Sequence, residues 1–317
     1  MSPRGCKRVV RVARWLRCAG RPASAVFFAS GCFLSFAPGN KSTQPSSWPE
    51  VTSLSVGFRH ACAIGPEDRT LCWGENEYGQ SEPPDTPMRL VSVGPVHTCG
   101  ITKSDSDVVC WGNEEYGRVD APVDQKFTNV SAGAGHTCGL TPEGKVRCWG
   151  SWPFSAPFPV AYEPPSQGQF KDISLGLLYG CALSLAGKVQ CWGDDTYFVG
   201  IPDSVVFERL DAGFNHVCGL TTDGEVECWG APTNEPNIPS GSYVDVSAGN
   251  ATCALRDDGS FVCSNVGNPP HGPMTKVVAG MHHVCGVHEG GGVQCWKQQG
   301  ADMENELTPP PQLHRQL

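Results

Sequence analysis

GHTCGLTPEGKVRCWG, residues 135–150, holds two cysteines ten positions apart and closes on Trp-Gly. The pattern recurs as RHACAIGPEDRTLCWG at 59–74, YGCALSLAGKVQCWG at 179–193 and NHVCGLTTDGEVECWG at 215–230. Aligned on the first cysteine, seven units start their pairs at Cys62, Cys99, Cys138, Cys181, Cys218, Cys253 and Cys285. The second cysteines are Cys72, Cys110, Cys148, Cys191, Cys228, Cys263 and Cys295. The separation is ten in every unit but the second, where it is eleven. A period of about 37 residues means a solenoid or a propeller.

Each unit opens with a short β-rich run such as FTNVSAG, FKDISLG or YVDVSAG. A strand about the first cysteine, a turn and a strand ending in Cys-Trp-Gly follow. A polar loop and a Pro-rich stretch lead to the next unit. With 38 Gly and 27 Pro, helical periodicity is hard to find past residue 50. Helical solenoids are therefore excluded. Three strong strands and one weak outer strand per unit describe a blade, and seven blades a closed ring. The fold class is all-β, a seven-bladed β-propeller. No half-blade at either end shows how the ring is latched.

The spacing of ten follows from hairpin geometry. If Pro142-Glu143-Gly144 is a three-residue loop, Leu140 faces Val146 and Cys138 faces Cys148. Gly144 sits where such a loop needs a left-handed residue. Gly187, Gly224, Gly259 and Gly291 share that place, and Asp68 substitutes in unit one. Unit two has one extra loop residue. Directly opposed residues come close enough for a disulfide, so each hairpin is read as stapled to itself. Buried thiols and a metal site are the alternatives. Zinc sites favour cysteines two to four apart, which a separation of ten does not offer. Disulfides require an oxidising compartment.

His60, His97, His136, His216 and His283 stand two before the first cysteine. Tyr179 and Ala251 replace them in units four and six, with both cysteines kept. No Ser or carboxylate recurs beside them as a triad needs, so they read as structural. The Trp after the second cysteine lies on the face opposite the disulfide and reads as packing between blades. No catalytic, metal or cofactor residue emerges; the chain reads as a non-enzyme.

The remaining three of the 17 cysteines, Cys6, Cys18 and Cys32, lie in the first 32 residues. Residues 1–50 hold eight Lys/Arg and one acid, leaving 15 basic and 31 acidic residues beyond. A body near −16 gains nothing from counterion release, so nucleic-acid binding is not expected. A basic stretch to Arg21, an uncharged run Ala23–Phe36 and Ser35-Phe36-Ala37 read as a secretory signal over 1–37. A lipoprotein signal to residue 31, with Cys32 acylated after Ala29-Ser30-Gly31, is a second reading. A cytosolic chain with a frayed basic N-terminus is the third. Residues 38–50 read as a linker, 51–311 as the propeller and 312–317 as a tail.

VSAGAGHTCGLTPEGKVRCWG and CWGENEYGQ resemble the regulator of chromosome condensation repeat in its short bacterial form. The resemblance covers about residues 51–311. It is weakest in unit six, which is one residue short before Cys253 and has Ser264 for Trp, while unit seven has Lys297 for Gly. It implies a seven-bladed propeller. Similarity to the secreted bacterial β-lactamase-inhibitory propellers implies a partner-binding disc.

In a propeller the Gly-x-x-His loop and the loop after Trp-Gly share one end. The x-x positions supply the candidate partner-binding residues Phe58, Arg59, Val96, Leu177, Leu178, Phe214, Asn215, Met281 and His282. Outside them stand Glu75, Glu77, Glu114, Glu115, Asp194 and Asp195, with Tyr78, Tyr116, Trp152 and Tyr197. An apolar centre within a polar rim is how a recognition surface is built. The opposing reading is that the apolar residues plug the channel mouth. The function expected is a secreted or surface-attached monomer that binds a protein partner. An exchange-factor-like cytosolic regulator and an enzyme with a channel-mouth site are the alternatives. No membrane contact is expected beyond an anchor at Cys32.

Overall fold

The computed structural model describes residues 50–151, 163–230, 236–266, 269–301 and 308–313. The signal reading over 1–37, the anchor at Cys32, the linker up to residue 49, Trp152 and the last four residues lie outside them. Seven antiparallel sheets follow one another along the chain, each of three consecutive strands. In unit one these are β1 (Ser53–Val56), β2 (His60–Ile64) and β3 (Thr70–Gly74). The weak fourth strand expected on the outside of each blade is absent among the described residues. Its place in unit one is taken by a loop with Pro83, Pro84 and Pro87. Proline has no N–H to give to a ladder.

The hairpin register is the expected one. Cys138 faces Cys148 and Leu140 faces Val146. All seven cysteine pairs are disulfides, with Cα atoms 4.0–4.1 Å apart. Gly144 has φ of +74° and Asp68 a φ of +58°, so the turn demands a left-handed residue in both.

Packing between blades repeats with the same parts. In six of the seven blades the disulfide meets the Trp of the next. Cys62 and Cys72 pack with Trp111, and Cys99 and Cys110 with Trp149. Cys138 and Cys148 pack with Trp192, Cys181 and Cys191 with Trp229, and Cys253 and Cys263 with Trp296. Cys285 and Cys295 of unit seven pack with Trp73 of unit one, which closes the ring. Period-two alternation puts disulfide and Trp on opposite faces of one blade, so each interface receives one of each. Leu313 is fully buried in the closing interface, against Leu54, Leu71 and Val293. The latch that the sequence leaves open is this C-terminal wedge.

The interface between units five and six departs from the rule. Ser264 replaces the Trp, and Tyr243 with Ile238 fills the space beside Cys218 and Cys228. The Ser264 Oγ accepts the Thr252 N–H at 2.9 Å, which supports the end of a three-residue strand, Phe261–Cys263. Burying less aromatic surface stabilises less. Unit six is therefore expected to open first in hydrogen exchange, before units one to three. Equal protection of all seven blades would refute this.

Candidate functional site

The inner strands end in seven glycines: Gly57, Gly94, Gly133, Gly176, Gly213, Gly249 and Gly280. A Cβ built on any one of them would come within 2.1–3.3 Å of the carbonyl oxygen of the next, and Gly280 points back to Gly57. The backbones of neighbouring blades approach here too closely for a side chain, which explains the invariant Gly of the repeat. The Phe214, Asn250 and Met281 N–H groups donate to the Gly249, Gly280 and Gly57 carbonyls at 3.0 Å. The ring is thus a fixed collar.

The collar is the mouth of a central channel. A cavity of about 170 Å³ there is lined by Phe58, Pro95, Ala134, Leu177, Phe214 and Met281 with the glycines. Four of the nine predicted residues, Phe58, Leu177, Phe214 and Met281, therefore come from four blades to one opening. Arg59, Val96, Leu178, Asn215 and His282 stand one position further out and do not line it. All nine are half-buried. The Phe58 ring meets His282 edge-on at 4.6 Å, and the Arg59 guanidinium lies 5.9 Å from the Phe58 centroid.

The loop after Trp-Gly is tied to this end. The Glu75, Asn113, Asp194 and Gln298 N–H groups donate to the Arg59, Val96, Leu178 and His282 carbonyls at 2.9–3.0 Å. Glu77, Tyr78, Glu114, Glu115, Tyr116 and Asp195 are exposed on it, forming the acidic rim. Tyr197 is not a rim group of the same kind. Its ring stacks on buried Tyr179 at 5.7 Å and belongs to the packing between units four and five.

Three of the five recurrent His residues latch one blade to the next. His60 Nε2 meets Thr98 Oγ1 at 2.9 Å, His97 meets Thr137 at 2.8 Å and His216 meets Thr252 at 2.7 Å, each Thr being in the next blade. The Thr98 and Thr137 hydroxyls donate hydrogen bonds to the Gln80 and Arg118 carbonyls, which also accept from the Trp111 and Trp149 indole N–H groups. In unit four the Tyr179 hydroxyl reaches over instead, donating towards the Gly213 and His216 carbonyls. Burial holds His60 and His97 down to a pKa of about 3, and His136, His216 and His283 to about 4. Neutral, enclosed rings are poor general bases. Among the described residues no group of three His, Cys, Asp or Glu side chains could hold a metal ion. No helix among them is long and apolar enough to cross a membrane.

Sequence reasoning missed the channel lining. The residue two before each collar glycine faces inward: Ser55, Ser92, Ser131, Ser174, Asp211, Ser247 and Val278. Each of Ser55, Ser92, Ser131, Ser174 and Ser247 accepts a backbone N–H from the next blade at 2.9–3.0 Å. The single acid, Asp211, accepts Ser174 Oγ, Ser247 Oγ and Ala248 N–H at 2.8–3.0 Å. Burial outweighs these donors and raises its pKa to about 6. The signal was present in FERLDAG against VSAG, read with a period of two.

Three stretches of this chain, residues 51–80, 127–151 and 208–234, match the Regulator of chromosome condensation (RCC1) repeat. They fall in units one, three and five. At these three positions the chain carries regulator of chromosome condensation repeats. Its fold is similar to the ectodomain of the receptor kinase CR4 from Physcomitrella patens, at 26% identity and a TM-score of 0.67, covering 79% of this chain and 74% of that one. The CRINKLY WD40 ectodomain of ACR4 from Arabidopsis thaliana is 24% identical with a TM-score of 0.67, over 83% of this chain and 98% of that one. Human WBSCR16 is 15% identical with a TM-score of 0.51, over 84% and 82%. The latter two speak for the fold of the repeat protein alone.

Proposed function

We propose that this repeat protein is a secreted or surface-attached, non-enzymatic binding protein. Its Gly-x-x-His face meets a protein partner. The carrying observation is the convergence of Phe58, Leu177, Phe214 and Met281 on one half-open mouth, inside an acidic rim. Large side chains at a centre that a partner can desolvate are where binding energy concentrates. The seven disulfides belong to an oxidising compartment. The likeness to a receptor-kinase ectodomain supports an extracellular place. The basic-then-apolar stretch over 1–37 reads as the export signal, cleaved after Ala37 or lipidated at Cys32, and the propeller acts as a monomer.

Hot spots reach about 2 kcal/mol or more each. A Phe58→Ala, Phe214→Ala double variant should therefore lose roughly 100-fold or more in affinity for a partner captured from the extracellular surface with the mature body. Circular dichroism should report an unchanged fold. An unfolded double variant would make the mouth residues a structural plug. Normal binding by that variant, with binding lost on substituting Glu143 and Asp223 in the hairpin turns, would place the interface at the opposite end.

A further inference from the structure

The other end of the channel is built differently. A cavity of about 250 Å³ opens there, lined by residues two and four positions before the collar glycines. That is below the roughly 300–1,000 Å³ of drug-sized sites, so an occupant is small. The charges around it are not spread evenly. Units four to six contribute Asp172, Arg209, Asp211 and Asp245; unit seven contributes Lys276; units one to three contribute none.

Arg209 is paired with Asp245. That leaves two carboxylates, Asp172 and Asp211, on adjacent blades with no salt bridge of their own, although the Arg209 charge also attracts them. Asp172 accepts Asn129 Nδ2 at 2.8 Å and the Ile173 N–H at 2.9 Å. Burial still raises it to a pKa of about 6, like Asp211. Both sites favour a cationic neighbour. The ammonium of half-buried Lys276 makes no hydrogen bond or close ion pair with any described residue, although Asp245 and Asp211 attract it from the neighbouring wall. Burial lowers its pKa, so it favours an anionic neighbour.

The serines divide in the same way. The Ser174 and Ser247 hydroxyls donate hydrogen bonds to Asp211. Ser55, Ser92 and Ser131 accept a backbone N–H and have no acceptor for their own protons among the described residues. A hydroxyl in that state still has a donor to offer. One arc of the wall thus presents Lys276 and three serine hydroxyls, and the other presents Asp172 and Asp211.

We propose that this end of the channel binds a small zwitterion of the α-amino-acid type, its carboxylate towards Lys276 and the serines, its ammonium towards Asp172 and Asp211. A plain anion would leave the carboxylate arc to Arg209 alone, and a plain cation would leave Lys276 with only the attraction of Asp245 and Asp211. No covalent step is involved.

Isothermal titration of the mature protein with glycine, L-alanine, L-serine, L-leucine, L-glutamate and L-lysine tests this directly. At least one should bind saturably at one per chain. Acetate and ethylamine should bind at least tenfold more weakly. Lys276→Met and Asp172→Asn should each weaken amino-acid binding at least tenfold. Phe58→Ala, Phe214→Ala should leave it unchanged, which separates this site from the partner face. Absence of saturable binding below 10 mM across the whole panel would overturn the proposal. So would acetate binding as tightly as the amino acid, or wild-type affinity in both Lys276→Met and Asp172→Asn. Retention of wild-type circular dichroism shows that the variants are folded; if one fails to fold, the other decides.

Discussion

Lowering the pH from 7 to 5 should strip most of the stability from this propeller. The five repeat histidines are buried between blades and neutral, with pKa values of about 3 to 4. In the unfolded chain they titrate near 6.5. Their stabilisation is complete above that value and is lost as pH falls towards 4. Their neighbours strengthen the effect. His60 lies near His283, and His97 near Arg118, His60 and His136, so a first proton repels the next. Asp172 and Asp211 work in the opposite sense. Their folded pKa of about 6 exceeds the unfolded value of about 3.9, so their contribution is complete below 3.9 and fades as pH rises through 6. Five histidines outweigh two aspartates. Near pH 5 the unfolded chain holds about three more protons than the native one, which gives a slope of up to about 4 kcal/mol per pH unit. Against a total of about 5–15 kcal/mol that is decisive. Urea midpoints at pH 7, 6 and 5 check it. Midpoints that hold or rise on acidification would show that the two aspartates, not the latch, dominate.

Reducing the disulfides should abolish folding altogether. Each staple closes a loop of ten or eleven residues, for which loop entropy gives up to about 3 kcal/mol. The hairpin ladder already holds the ends together, so each delivers less than that. Seven staples at even 1 kcal/mol apiece would match the whole stability of an ordinary domain. The cysteines also fill the interfaces: Cys62, Cys99, Cys138, Cys181, Cys218 and Cys285 have no exposed surface. Denatured, unreduced full-length chain should titrate at most three thiols, those of Cys6, Cys18 and Cys32. Ten or more free thiols would sink the claim. After full reduction at pH 7 the far-ultraviolet strand signal and the cooperative urea transition should both disappear, and a retained transition would show that packing alone suffices.

The blade was legible in the sequence because its determinants are local. A loop of fixed length with Gly at its end sets the register of Cys138 on Cys148, and alternation then sends Trp149 to the other face. Nothing beyond twenty residues of chain is needed for that inference. The collar was half legible. Gly-x-x-His announced a shared end, but only closure shows Phe58 and Phe214, more than 150 residues apart in sequence, lining one mouth.

Other features had no local signal. The histidines read as structural within a blade, yet the hydroxyl that His60 meets belongs to Thr98, 38 residues on. Whether such a latch forms depends on what the next blade presents. Unit one has Ala61 at the repeat position of Thr98, and neither ring nitrogen of buried His283 has a hydrogen-bond partner among the described residues. Leu313 reads as the edge of a polar tail, and only the gap between the last blade and the first makes it core. The charged arc of Asp172, Arg209, Asp211, Asp245 and Lys276 is scattered over about a hundred residues and is unremarkable in each repeat. The sequence alone determined the repeat, its hairpin register and its disulfides, because hydrogen bonds over a short loop fix them. The tertiary structure alone decided what meets across blades and around the channel, because a ring brings side chains together by closure and not by proximity in the chain.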